Sequence, residues 1–354
     1  MVHSWFHQVF RRRFLWLGLC AFGLAIAFSA CTPNPTGTVS FPNGGSAPAQ
    51  IRIGYQVIPN AELLVKAMGT VAEAFPNSKV EWKAFDSGRD VNTAMAANGL
   101  DLGLVGSTGT SIGIANQLPY QVYFIHDIIG DNEALVVRNS ANIKAIPDLR
   151  GKKVAVPFGS TTHFSLLSAL GELGVKANEV TVLDMQPADM LAAWQRGDID
   201  AGFVWQPTLT RMAGSGGKIL ITAKDLYQQG IITADVGVAH RDFIRQYPDA
   251  LKRYVALLDE AIQFYRTRPE EAAKVISPEL GLSPQGSLKV MKELVWLTSE
   301  EQTNSKFLGT PESPGNFAQV LKNSATFMKA QGAIPAVPDM SVFQNAIYSQ
   351  GLVQ

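Results

Sequence analysis

The sequence predicts an α/β fold of two lobes with a ligand cleft between them. Two observations carry this expectation. From Ile51 onward, strand-like and helix-like segments alternate, the pattern of open, mostly parallel sheets covered by helices. Residues 86–107, DSGRDVNTAMAANGLDLGLVGS, are also echoed by residues 184–206, DMQPADMLAAWQRGDIDAGFVWQ. Each reads strand end, helix, Gly, then Asp-x-Gly-x-Val, so that Asp101–Val105 aligns with Asp200–Val204. A spacing near 100 residues is far too long for a solenoid and fits two similar lobes.

The elements follow in order. Residues 1–30 carry Arg11, Arg12 and Arg13, then an uncharged apolar run from Phe14 to Ser29. A basic head, a short apolar stretch and small residues at the cut make an export signal. The run is 16 residues long, against about 20 for a membrane span. Phe28-Ser29-Ala30-Cys31 resembles a bacterial lipobox, so Cys31 is the expected lipidation site and new N-terminus, anchoring the chain to a bilayer. Residues 32–50 are uncharged, with four prolines and three glycines, and read as a flexible linker. Strands are expected at Ile51–Gln56, Lys79–Phe85, Leu102–Val105, Lys152–Pro157, Val180–Leu183 and Gly202–Trp205. Asn60 is a plausible N-cap, and Gly99 a helix stop. Crossings between lobes are expected in the apolar stretches Leu135–Arg138 and Thr233–Ala239. That gives one lobe from 51–135 plus 239–354 and a second from 136–238. Beyond Arg241, the stripe Leu251, Tyr254, Val255, Leu258, Ile262 and Tyr265 predicts a helical tail packed on the first lobe.

Composition narrows the function. The 354 residues include 30 basic and 30 acidic side chains, so the precursor has no net charge, which argues against nucleic acid as a partner. Hydrophobic residues at 46% suit a large core. Two cysteines supply neither a disulfide framework nor a zinc site. No cofactor or metal is expected. Without the three arginines of the signal, 27 basic side chains face 30 acidic ones, a net charge of −3.

Two open α/β lobes place a ligand outside the carboxyl ends of their strands. The residues there are Gln56, Ser87, Gly88, Ser107, Thr108, Glu133, Ser160, Thr161, Trp205 and Asp235. Gly106–Thr110 and Gly159–Thr162 each precede a helix, whose free N–H groups and positive dipole end seat an anion without Lys or Arg. A tetrahedral oxyanion suits that seat. Glu133 and Asp235 repel an anion and suit an ammonium group, and Trp205 would cover a short spacer. A ligand with a sulfonate and an amine satisfies all three features. Against this stands a plainer reading: Ser87, Ser107, Ser160 and Thr161 as helix caps, Asp101 and Asp200 as architecture, His163 as structural.

The stretches FDSG (85–88), NEALVV (132–137), GKKVAVPFGSTTHFSLL (151–167) and AAWQRGDIDAGFVWQP (192–207) closely resemble the taurine-binding proteins of ABC importers. These belong to the sulfonate, nitrate and taurine substrate-binding family. The resemblance runs from about Ile51 to Gln354. It implies a type II, two-lobe periplasmic-binding-protein fold that closes on taurine or a related sulfonate and docks, as a monomer, on a permease with its ATPase. It implies a sulfonate held by Ser87, Ser107, Thr108, Ser160 and Thr161, and an amine held by Glu133 and Asp235 against Trp205. The loop Ile58-Pro59-Asn60 and Gly237 depart from the family's pattern. The alternatives are another alkanesulfonate, nitrate or small organic anion as ligand, or a ligand-sensing receptor. An enzyme is not expected: Ser160 and His163 lack a nucleophile elbow, Gly106–Ser111 lacks the phosphate-loop lysine, and the cysteine-rich iron motif of the related thiamine-pyrimidine synthases is absent.

Overall fold

The computed structural model describes residues 37–42 and 44–352. The expected export signal, Cys31 and residues 32–36 lie outside them. A hairpin of β1 (Thr38–Ser40) and β2 (Ser46–Pro48) leads into β3 (Gln50–Tyr55), β4 (Lys79–Ala84), β5 (Leu102–Gly106) and β6 (Tyr120–Ile129). Then come β7 (Glu133–Arg138), β8 (Lys153–Val156), β9 (Thr181–Asp184), β10 (Ala201–Trp205) and β11 (Gly217–Thr222), followed by β12 (Ala234–His240) and β13 (Leu294–Trp296).

Two sheets result, ordered β13-β6-β12-β5-β3-β4 and β11-β7-β10-β8-β9. Each has three parallel strands and then an antiparallel partner, β12 beside β5 in one lobe and β7 beside β10 in the other. The repeated motif supplies the same joint in both. Asp101 Oδ2 accepts from Arg52 N at 2.7 Å, and Asp200 Oδ2 accepts from Lys153 N at 2.9 Å. Their carbonyls accept from His240 N and Arg138 N, both at 2.8 Å. The echo in the sequence is therefore a structural repeat, and both aspartates are architectural.

The second sheet shows why its strands read as continuous apolar runs. Leu135, Val137, Val154, Val156 and Phe203 face one buried cluster, while Ala134, Val136, Ala155 and Val204 face another. Both faces are covered, so alternation is lost and only size alternates.

Three expectations change. Leu135–Arg138 and Thr233–Ala239 are not crossings: β7 pairs inside the second sheet and β12 inside the first. They are apolar because they are buried in a sheet. The chain changes sheet at 130–132 and again between β11 and β12, so the lobe boundaries at 135/136 and 238/239 move back by a few residues. From Gly37 the expected linker is not a free tether. β1 and β2 pair, Ala47 is buried, and Phe41 packs edge-on against Phe75 at 5.1 Å.

The tail helices Pro248–Thr267 and Pro269–Leu280 pack on the helix Ala61–Met68 of the first lobe, as expected. The helix Phe317–Ala330 does more. It packs on the helix Ser107–Ala115, and its Phe327 meets Phe164 of the second lobe edge-on at 5.0 Å. Gly237, one of the departures, is required by its neighbour: a Cβ there would lie 2.5 Å from the Tyr123 ring.

Candidate functional site

The carboxyl ends of the parallel strands of both sheets face one another across a cavity of about 360 Å³, counted to its mouth. The antiparallel strands bring their first residues to the same place. Asp235 is the second residue of β12 and sits opposite Gly106, and Glu133 opens β7 and sits opposite Trp205. Gly106 lies five residues after Asp101 and Trp205 five after Asp200, so the two acids hold equivalent positions in the two lobes.

Eight of the ten residues expected at the site line this cavity: Gln56, Ser87, Gly88, Glu133, Ser160, Thr161, Trp205 and Asp235. Three helices begin on it, Gly88–Ala96, Ser107–Ala115 and Thr161–Glu172. Their first N–H groups lack partners inside the helix and carry its positive end. Ser160 is also the cap it was expected to be, with Oγ accepting from His163 N at 3.1 Å. Gln56 is fixed by donating from Nε2 to Leu104 O at 3.0 Å.

Ser107 and Thr108 do not reach the cavity. Ser107 Oγ accepts from Ala234 N at 3.3 Å, and Thr108 Oγ1 lies 3.3 Å from Ser324 Oγ on the tail helix. On the first turn of this helix the side chains point sideways into the lobe, and Gly106 and Gly109 face the cleft instead. Gly106 is needed there: a Cβ would lie 2.8 Å from Thr161 Cγ2.

Ile58, Arg89 and Phe158 also line the cavity and were missed. Arg89 corrects the expectation of a seat without Lys or Arg. It follows Ser87-Gly88 directly, at the start of a helix, and that position was the available signal. Its Nη1 pairs across the cleft with Asp184 Oδ2 at 2.7 Å. Gln186 Nε2 donates to Ser87 Oγ at 3.1 Å, a second bond between the lobes. Phe158 stacks on His163 at 4.6 Å. Burial holds His163 down at about 4, so it is neutral and structural at neutral pH.

The acids are the electrostatic feature of the site. Glu133 is 3% exposed and Asp235 4%. Burial raises Asp235 to about 7. Burial, then the charge of Asp235, raises Glu133 well above the usual carboxylate range, opposed by the bond it accepts from Thr161 Oγ1. Among the described residues, no Lys or Arg pairs with either acid. Nor does any group of His, Cys, Asp and Glu there have the arrangement of a metal site. The cleft thus brings helix N-termini and Arg89 together with acids that no described Lys or Arg compensates, Glu133 beside Thr161 and Asp235 opposite Gly106.

A two-lobed α/β body with its polar site between the lobes is a periplasmic-binding-protein fold. The chain belongs to the NMT1/THI5-like family, whose sequence model matches residues 79–272. It is 34% identical over 293 residues to the taurine-binding periplasmic protein of Escherichia coli K12, covering 81% of this chain and 88% of that one. A putative aliphatic sulfonates-binding protein of the same organism is 28% identical over 238 residues, covering 67% and 73%. Among solved structures, the alkanesulfonate-binding protein SsuA from Xanthomonas axonopodis pv. citri, bound to MOPS, superposes with a TM-score of 0.70 at 20% identity. That match covers 85% of this chain and 98% of that one.

Proposed function

We propose that this protein is the extracytoplasmic substrate-binding component of an ABC importer, holding taurine or a similar small aminosulfonate and delivering it to a permease. It is a binding protein, not an enzyme. One observation carries the ligand: two buried acids, without a basic partner among the described residues, share a single small cavity with three helix N-termini and an arginine. A simple anion leaves the acids uncompensated, and a simple amine leaves the helix ends unused. A zwitterion with a short spacer satisfies both ends. The sulfonate oxygens accept from the helix starts around Ser87, Gly88, Ser160 and Thr161, with Gln56 beside them. Glu133 and Asp235 take the ammonium group, and Trp205 walls the spacer. The family relationship supports this reading, since a relative covering most of the chain is a taurine-binding periplasmic protein.

A thermal-shift panel tests it. A ligand that binds only the folded state stabilises by about 2.7 kcal/mol at a hundredfold excess over its Kd. Taurine raises the melting temperature most, above ethanesulfonate, nitrate and ethylamine. No shift with taurine and a large one with nitrate or ethanesulfonate would overturn the assignment.

The lipobox-like sequence supports lipidation at Cys31 and attachment to a membrane. Cys31→Ser then yields an exported protein that fractionates with soluble material. Retention of this variant in the membrane fraction would refute the anchor.

A further inference from the structure

Behind the amine end lies an acid that the proposed ligand contacts leave unused. Asp127 on β6 is the direct cross-strand neighbour of Asp235 on β12 and is fully buried. Its Oδ2 accepts from Asn60 Nδ2 at 3.1 Å, while its Oδ1 finds no donor. Directly opposed residues of an antiparallel pair hold their Cβ atoms about 4.5–5.5 Å apart on one face, which sets the carboxyl groups of Asp127 and Asp235 side by side. Two carboxyl groups bond only when one of them carries a proton. A β-bulge at His126 interrupts the register here, the kind of local kink that re-aims side chains beside a site.

The surroundings offer no positive charge. From the helix Ala61–Met68 comes Glu62, which accepts from Tyr254 Oη of the helix Pro248–Thr267 at 3.2 Å. From β6 come Tyr123 and His126, with His126 Nε2 3.8 Å from Glu62 Oε1. Burial lowers His126 to about 3, so it stays neutral. From β7 comes Glu133, whose Oε2 is buried without a donor. Asp127 Oδ1 and Glu133 Oε2 are thus buried acid oxygens with no donor or cation among the described residues.

We propose that Asp127 and Asp235 share one proton in the ligand-free cleft and that the ligand's ammonium group displaces it, which makes Asp127 a positioning residue setting the preference for a cationic end. This rests on the aminosulfonate reading above. The ammonium keeps its three protons, the shared proton leaves to solvent, and the pair becomes a dianion compensated by the ligand. Burial raises both groups, the charge of Asp235 raises Asp127 further, and the bond from Asp127 holds Asp235 back, as one proton held between the two requires. Binding that releases a proton strengthens as pH rises, about tenfold per unit while the free pair is protonated.

The test is calorimetric titration at pH 7 in phosphate and in Tris, whose ionisation heats differ. The dependence of the observed heat on the buffer counts protons released. Wild-type protein releases close to one proton with taurine and close to none with ethanesulfonate, a comparison that needs no variant. Asp127→Asn reduces the taurine count to near zero and flattens the pH dependence of its Kd. Taurine binding without proton release overturns the shared proton. So does release that persists in Asp127→Asn. Failure of taurine to bind the wild type overturns the ligand assignment, and this proposal with it.

Discussion

Replacing Asp235 with Asn lowers the affinity for taurine by about 10- to 150-fold and changes that for ethanesulfonate by no more than a few-fold. The range is that of one charge-assisted hydrogen bond, about 1.5–3 kcal/mol. Asp235 sits in the cavity wall at 4% exposure, with no basic partner among the described residues. The ligand's ammonium is the cation proposed to pair with it. Ethanesulfonate brings no cation, so it loses nothing when the charge goes. Titration calorimetry of both ligands against wild type and variant measures the difference. Equal losses for the two would place Asp235 in general support of the cleft instead of at the amine.

The second large effect is on stability. Glu62 is fully buried, and burial raises its ionisation from 4.5 to about 8, partly offset by the bond from Tyr254. The folded state therefore holds a proton that the unfolded chain loses above pH 4.5. The sign follows: this contribution is complete below about pH 4.5 and is lost as pH rises toward 8, at up to about 1.4 kcal/mol per unit. Glu62→Gln keeps an acceptor for Tyr254 and removes the titration. Between pH 5 and pH 8 the variant gains about 2–4 kcal/mol relative to wild type. Urea unfolding at both pH values reads this difference. Asp127, Glu133 and Asp235 are shifted in the same direction, so both proteins lose some stability with rising pH, and the widening gap between them is the result. Parallel pH profiles would contradict the buried, protonated state of Glu62.

Much of this was legible in the chain. Strand–helix alternation and the repeated Asp-x-Gly-x-Val motif led to two equivalent sheets, because that aspartate has one local job, to accept a backbone N–H from the adjoining parallel strand. Eight of the ten expected strand-end residues line the cavity, because a parallel strand's carboxyl end locates the loop after it. Ser107 and Thr108 failed because position after a strand does not fix side-chain direction on the first helical turn. Arg89 was passed over although it follows the Ser87-Gly88 turn. The hairpin at 38–48 hid behind Pro and Gly, which mark its turn as readily as a tether. The crossings were misplaced because a strand buried on both faces looks as apolar as any connector. Asp127 had a signal that went unused: an acid inside the apolar run Tyr120–Ile129 has to meet a partner in the core.

By this reading the cleft selects a zwitterion, joining helix N-termini to uncompensated acids. Titration of the wild-type protein with taurine and with ethanesulfonate at pH 7 addresses it most directly. One saturable site for taurine is predicted, with Kd between micromolar and nanomolar, about −8 to −12 kcal/mol, and ethanesulfonate at least tenfold weaker. No heat with taurine, together with tight binding of ethanesulfonate, would contradict it.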